Sequence, residues 1–204
     1  MSGKIILIDT GTGNLRSVLK ALESLDAEVV LTDDAAAVQR GDKLVLPGVG
    51  AFGDFMKGLR NNRLEEPIHA AVRRGVPLLG ICVGMQALFE TSDEMGMHTG
   101  LAVLPGRVVH FPLMGVLKVP HTGWNQLWQH NSSELFSNIP SGDYAYFNHS
   151  YYCVPGRPDD LLCLTDYGVK FASGVQHANI FGVQFHPEKS QRVGLKLLEN
   201  FLNI

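Results

Sequence analysis

The chain has 204 residues, 45% apolar and 18% charged, with a net charge of −3, which is enough apolar side chain for one sizeable core. A slightly acidic chain without a basic run argues against binding driven by nucleic-acid phosphates. Its apolar runs are too short for a signal segment or a membrane span, and three cysteines make no disulfide framework, so a cytoplasmic single domain over 1–204 is expected.

In chain order, Lys4 to Ile8 reads as a buried strand ending in the glycine-bearing loop Asp9 to Gly13. Leu15, Val18, Leu19, Leu22 and Leu25 then recur at helical spacing. Glu28 to Leu31 is a second strand and Lys43 to Leu46 a third, stopped by Pro47. A helix over about Arg63 to Arg74 precedes a strand Val76 to Ile81, and Val83 to Glu90 continues as helix. This alternation predicts an α/β fold with a mostly parallel central sheet flanked by helices. From about Arg107 the pattern changes to short β-like runs: Val108–Phe111, Tyr144–Phe147, Leu161–Leu164, Val169–Ala172 and Phe181–Phe185. These are expected to extend the sheet with antiparallel strands. A C-terminal helix using Val193, Leu197, Leu198 and Phe201 closes the chain.

Gly80-Ile81-Cys82-Val83-Gly84 has the G-x-nucleophile-x-G spacing of a strand-to-helix elbow. Such an elbow strains the backbone of the nucleophile, and its glycines leave room for the turn. It also sets Cys82 at a helix N-terminus, whose free N–H groups favour a thiolate. A packing cysteine with chance glycines is the competing account, in a chain with 22 glycines. A nucleophile needs a base, and Phe185-His186-Pro187-Glu188-Lys189 supplies one. Pro187 pushes His186 toward an extended backbone, where residues two apart share a side, so Glu188 can orient the imidazole. Gly48-Val49-Gly50 after the third strand, with the N–H of Val83, can form an oxyanion hole.

Two other chemistries fail on spacing. Gly11-Thr12-Gly13 with Asp33 imitates a dinucleotide fingerprint, but Arg16 stands at the third glycine position. Neither C-x-x-C nor H-x-x-x-H occurs, so no metal site is expected, and no cofactor. The aromatic clusters Pro120–Asn125 and Tyr144–Tyr152 lie outside core periodicity and read either as a loop-rich edge with packed tyrosines or as a substrate or partner surface.

Together, GICVGMQ, PGVGAFG and QFHPEKS resemble the class I, triad-type glutamine amidotransferases. DTGTGN, PHTGWN, NHSYY and HPEKS narrow the resemblance to the glutaminase subunits of imidazole glycerol phosphate synthases, over Asp9 to Ser190. The resemblance implies Cys82 as nucleophile, His186 as general base and acid, and Glu188 as its orienter. It implies an oxyanion strand at Gly48, Val49 and Gly50, and contacts to substrate glutamine from Gln86, His149, Ser150 and Tyr151. Asn14, Trp124, Tyr146 and Lys189 would face a cyclase partner built as a (β/α)₈ barrel. Three positions depart from the family pattern: Val83 where leucine is usual, Thr122 for methionine in PHMGWN, and Asn148 for valine before HSYY. Two acceptors for the ammonia stay open: the histidine-pathway cyclase, or a different synthase such as one amidating a surface sugar. Glycines on both sides of Val49 also fit a loop that reorients when the partner docks.

Overall fold

The computed structural model describes residues 4–12, 14–112 and 117–204; Gly13, which closes the first expected loop, lies outside the described residues. The first half is a run of strand–helix units: β1 (Ile5–Ile8), α1 (Leu15–Glu23), β2 (Val29–Thr32), α2 (Ala35–Arg40), β3 (Lys43–Gly48), α3 (Phe52–Asn61), α4 (Glu65–Arg73), β4 (Leu78–Cys82) and α5 (Val83–Gln86). The second half is strand-rich: β5 (Thr91–Ser92), β6 (His98–Thr99), β7 (Gly106–His110), β8 (His121–Gln126), β9 (Trp128–Gln129), β10 (Tyr144–His149), β11 (Tyr151–Pro155), β12 (Leu161–Asp166), β13 (Lys170–His177) and β14 (Ile180–Val183). A 3₁₀ turn over Pro187–Lys189 leads into α6 (Gln191–Asn203).

The main sheet runs β2-β1-β3-β4-β14-β13-β11-β7-β5-β6. Pairing is parallel from β2 to β14 and antiparallel from β14 through β13 and β11 to β7, as the two halves of the sequence predict. The strands β1 (IILI) and β4 (LLGIC) are buried throughout, because helices cover both faces of a parallel sheet. Among the described residues no helix is long and apolar enough to cross a membrane.

Several elements differ from expectation for identifiable reasons. Strand β3 does not stop at Pro47 but runs on to Gly48. Its pairing with β1 ends at Val45, so the missing proline N–H costs no bond on that side, while pairing with β4 continues to Cys82. Helix α3 buries Phe52, Phe55, Met56 and Leu59 at helical spacing, but Gly53 and Gly58 inside it weaken its propensity and mask the pattern. Helix α2 (AAAVQR) is too short to show a period and buries only Val38; it is started by Asp34, whose carboxylate accepts the N–H of Ala36 at 3.1 Å. The helix expected over Val83–Glu90 ends at Gln86, because N–H groups of the returning segment take the following carbonyls: Leu101 bonds Ala87, Ala102 bonds Phe89, and Val103 and Leu104 bond Leu88. The run expected at Tyr144–Phe147 does not join the main sheet. It forms β10, which pairs with β8 as a separate antiparallel ribbon, so the PHTGWN segment is strand where loop was expected.

Candidate active site

Strands β3, β4 and β14 lie side by side and end together at Gly48, Cys82 and Val183, so the segments leaving them converge at one carboxyl edge of the sheet. Cys82 is the turning point from β4 to α5, with φ 55° and ψ −111°, a conformation that costs a non-glycine residue of order 1–3 kcal/mol. The flanking glycines are required by space. A Cβ on Gly80 would sit 2.7 Å from the Gly84 carbonyl oxygen, and one on Gly84 would sit 1.8 Å from that of Leu46. The elbow is therefore held together by backbone packed against backbone, and the strain falls on the one residue whose side chain has chemistry.

His186 arrives from the other direction. Its N–H donates to the Tyr146 carbonyl at 2.9 Å, and its own carbonyl accepts from the Ser190 hydroxyl at 2.7 Å. Its Nδ1 lies 3.0 Å from Glu188 Oε1, and both side chains are almost fully buried. Extended backbone was expected to bring the two together; instead the Pro187–Lys189 turn does so, with only His186 extended. Burial alone lowers the imidazole pKa. Hydrogen bonds with Cys82 and Glu188, and the charges of both, outweigh that and push it up to about 10. At neutral pH the site therefore holds an imidazolium facing the sulfur.

The cleft over this edge is lined by Val49, Gly50, Cys82, Val83 and Gln86, by His149, Ser150 and Tyr151, and by His186 and Lys189. Gly48 lies beneath, paired with Cys82 in the β3–β4 register. Gly50 has φ +90°, and a Cβ added there would meet nothing within 4 Å, so the loop after β3 has room to turn. Both ring nitrogens of His149 are engaged internally, Nδ1 with the Tyr151 carbonyl at 2.7 Å and Nε2 with His121 Nδ1 at 3.1 Å. Gln86 likewise spends its Nε2 on the Tyr151 carbonyl and on Gln184 Oε1.

Two residues at the site take no role from the sequence, although the QFHPEKS motif begins at Gln184. Glu94 lines it and accepts the N–H of Phe52, first residue of α3, at 2.7 Å. Gln184 is fully buried beside Cys82; a glutamine in the otherwise apolar run FGVQF was the available hint.

Trp124, Tyr146 and Lys189 do meet. The two rings are 6.2 Å apart edge to face across β8 and β10, and Lys189 Nζ stands 5.7 Å from the Tyr146 ring centre. Trp124 is 47% exposed, with Tyr144 on the paired strand β10 and Trp128 four residues along about as open, an unusual display of aromatic area. Asn14 stands at the start of α1, where its Oδ1 accepts from the Ser17 hydroxyl. The two departures Thr122 and Asn148 turn out to be one feature: they oppose each other in the ribbon, and the Thr122 hydroxyl donates to Asn148 Oδ1 at 3.1 Å.

Residues 6–204 match the family model described as glutamine amidotransferase class-I. The chain is 52% identical over 200 residues to the imidazole glycerol phosphate synthase subunit HisH of Salinibacter ruber, covering 96% of this chain and 92% of the relative. It is 51% identical to the HisH subunit of Aquifex aeolicus, covering 97% and 95%. A solved structure of PurLQS from Thermotoga maritima shares the fold, with a TM-score of 0.75 at 22% identity over 100% of this chain and 99% of that one. The family model spans nearly the whole chain and half the residues are shared with full-length relatives, so the chain belongs to the class-I glutamine amidotransferases.

Proposed function

We propose that residues 1–204 act as one amidotransferase domain: the glutamine-hydrolysing subunit of an imidazole glycerol phosphate synthase, making ammonia for histidine biosynthesis. The Cys82 thiolate attacks the side-chain carboxamide carbon of glutamine. The developing oxyanion accepts hydrogen bonds from the Val83 N–H and from the Gly48–Gly50 segment, each good donor being worth about 2.7–4 kcal/mol. His186 gives its proton to the departing nitrogen, ammonia leaves, and a thioester to Cys82 remains. His186, now neutral, takes a proton from water as it attacks the thioester. Collapse releases glutamate and restores the thiolate–imidazolium pair, with Glu188 holding the ring throughout.

Substrate recognition falls to Gln86, the His149–Tyr151 segment and Glu94. The Glu94 carboxylate is the anionic group in the cleft suited to the glutamine α-ammonium. With its N–H groups committed, Gln86 meets the substrate through its oxygen, as an acceptor. Released ammonia passes to a cyclase subunit, a (β/α)₈ barrel docked on the face that includes Trp124, Tyr146 and Lys189, with Asn14 at its margin. There it completes imidazole glycerol phosphate from a phosphoribulosyl intermediate. The enzyme works in the cytoplasm.

The observation that carries this reading is the strained Cys82 elbow beside the His186 imidazole, oriented by a buried carboxylate. Treatment with a glutamine-like electrophile is expected to modify Cys82 alone and abolish glutaminase activity. Burial pushes the Cys153 thiol well up, and the Cys163 thiol up to about 12, so neither competes. Recovery of the label mainly on either of those two would overturn the assignment.

A further inference from the structure

Apart from His186, the side chain that reaches the Cys82 sulfur among the described residues is Gln184, whose Nε2 lies 3.7 Å from Sγ. Nothing in the triad chemistry uses it. We infer that Gln184 is a further catalytic residue: its amide donates a hydrogen bond to the Cys82 sulfur, and a chain of one-way hydrogen bonds through Gln86 to the Tyr151 carbonyl keeps that N–H aimed there.

The direction is set by a group with no choice. A backbone carbonyl can only accept, so Tyr151 O takes an N–H of Gln86 Nε2 at 3.0 Å. The second N–H of the same nitrogen goes to Gln184 Oε1 at 3.2 Å. That leaves the Gln184 NH₂ turned toward the sulfur. Flipping the Gln184 amide would set donor against donor at Gln86 and oxygen against sulfur at Cys82. With Gln184 fully buried and Gln86 nearly so, water cannot repair either clash.

Tyr151 O is itself braced from behind. His149 Nδ1 donates to it at 2.7 Å, His149 Nε2 accepts from His121 Nδ1 at 3.1 Å, and His121 Nε2 accepts from Asn125 Nδ2 at 3.3 Å. Burial keeps both histidines neutral, lowering their pKa values to about 3 and about 4, so each offers the one donor and one acceptor that this run requires. A donor beside the sulfur favours thiolate over thiol. With His186 on one lone pair and Gln184 on another, the sulfur is aimed as well as charged.

The role rests on Cys82 being the nucleophile, and the test separates the two. Alkylation of the full chain by iodoacetamide is followed against pH, with Cys82 occupancy read by peptide mass. The other titratable groups facing the sulfur, His186 with Glu188 behind it and Cys153, are unchanged in every variant. Gln184→Met keeps the length and loses the donor. It should move the Cys82 alkylation midpoint up by about one to two pH units and lower glutaminase kcat by about 10- to 100-fold, the range for a hydrogen bond to a charged group. Gln184→Glu, which puts a carboxylate oxygen against the sulfur, should move it further. Gln86→Met leaves Gln184 in place but free to flip. It should give a smaller upward shift, and it decides the matter if the Gln184 variants do not fold. A folded Gln184→Met or Gln86→Met with the wild-type midpoint overturns the role of Gln184. Wild-type protein unlabelled at Cys82 overturns the nucleophile assignment instead.

Discussion

Replacing Glu188 by glutamine tests the triad at its most measurable point. The His186 Nδ1–Glu188 Oε1 distance is 3.0 Å and both side chains are buried, so the pair is shielded from solvent and salt. The imidazole is pushed up to about 10 against the pull of burial, by Cys82 and Glu188 together. The substituted amide could keep a neutral hydrogen bond but not the charge. A hydrogen bond to a charged group is worth about 1.5–3 kcal/mol, and one pKa unit is about 1.4 kcal/mol, so His186 should fall by about one to two units. The sign follows for stability. A raised histidine pKa stabilises the fold fully below the free value of about 6.5, and this is lost as pH rises through about 10. Because the unfolded value is common to both proteins, the His186 part of the stability gap between wild type and Glu188→Gln should stay full up to about pH 8–9, the lowered folded value, and disappear toward about pH 10. Glu188 Oε2 has no partner among the described residues, so the new NH₂ would also be buried without an acceptor, adding about 1–3 kcal/mol. The assay is kcat/KM for glutamine against pH, in complex with the cyclase subunit. The alkaline limb should shift down by about one to two units, and kcat at neutral pH should fall about 10- to 100-fold. With external ammonia replacing glutamine, synthesis should be unaffected. An unmoved alkaline limb would refute the imidazolium account, and a matching loss of ammonia-dependent synthesis would mean that Glu188 holds the interface instead.

Other expectations rest on the same geometry. Gly84→Ala drives a Cβ onto the Leu46 carbonyl and should cost at least about 3 kcal/mol in urea unfolding, whereas Gly50→Ala meets no atom and should cost only the strain of its positive φ, about 1–3 kcal/mol. His121 and His149 refuse protons that the unfolded chain accepts, so stability should decline as pH falls from about 6.5 toward about 4, by up to about 1.4 kcal/mol per unit for each; His121→Gln should flatten that slope in pH-dependent denaturation. If the exposed Trp124 is an anchor of the proposed docking face, Trp124→Ala should weaken cyclase binding by about 30-fold or more in titration calorimetry. If the loop around Val49 reorients when a partner docks, glutamine turnover should rise from free chain to complex to complex with the cyclase's ligand; equal turnover in all three would end the gating idea while leaving the triad intact.

Features that depend on short-range pattern were legible in the residues themselves. The buried strands at Ile5–Ile8 and Lys43–Leu46, the α1 and α6 periodicities, and the change from parallel to antiparallel character after Arg107 are one-dimensional signals, and the sheet follows them. The G-x-C-x-G spacing was legible for a similar reason: an elbow leaves no room for side chains at Gly80 and Gly84, and that exclusion is written in residue type. The rest was decided by partners distant in the chain. Helix α5 ends at Gln86 because carbonyls are claimed by N–H groups of Leu101 to Leu104, which no local window contains. The PHTGWN segment becomes strand because Tyr144–His149 lies beside it, and the same pairing makes Thr122 and Asn148 neighbours although 26 residues separate them. Gln184 and Gln86, 98 residues apart, acquire their roles only where β14 and α5 meet. Hydrogen-bond direction is a property of assembled donors and acceptors, and a sequence names those groups without saying which will face each other.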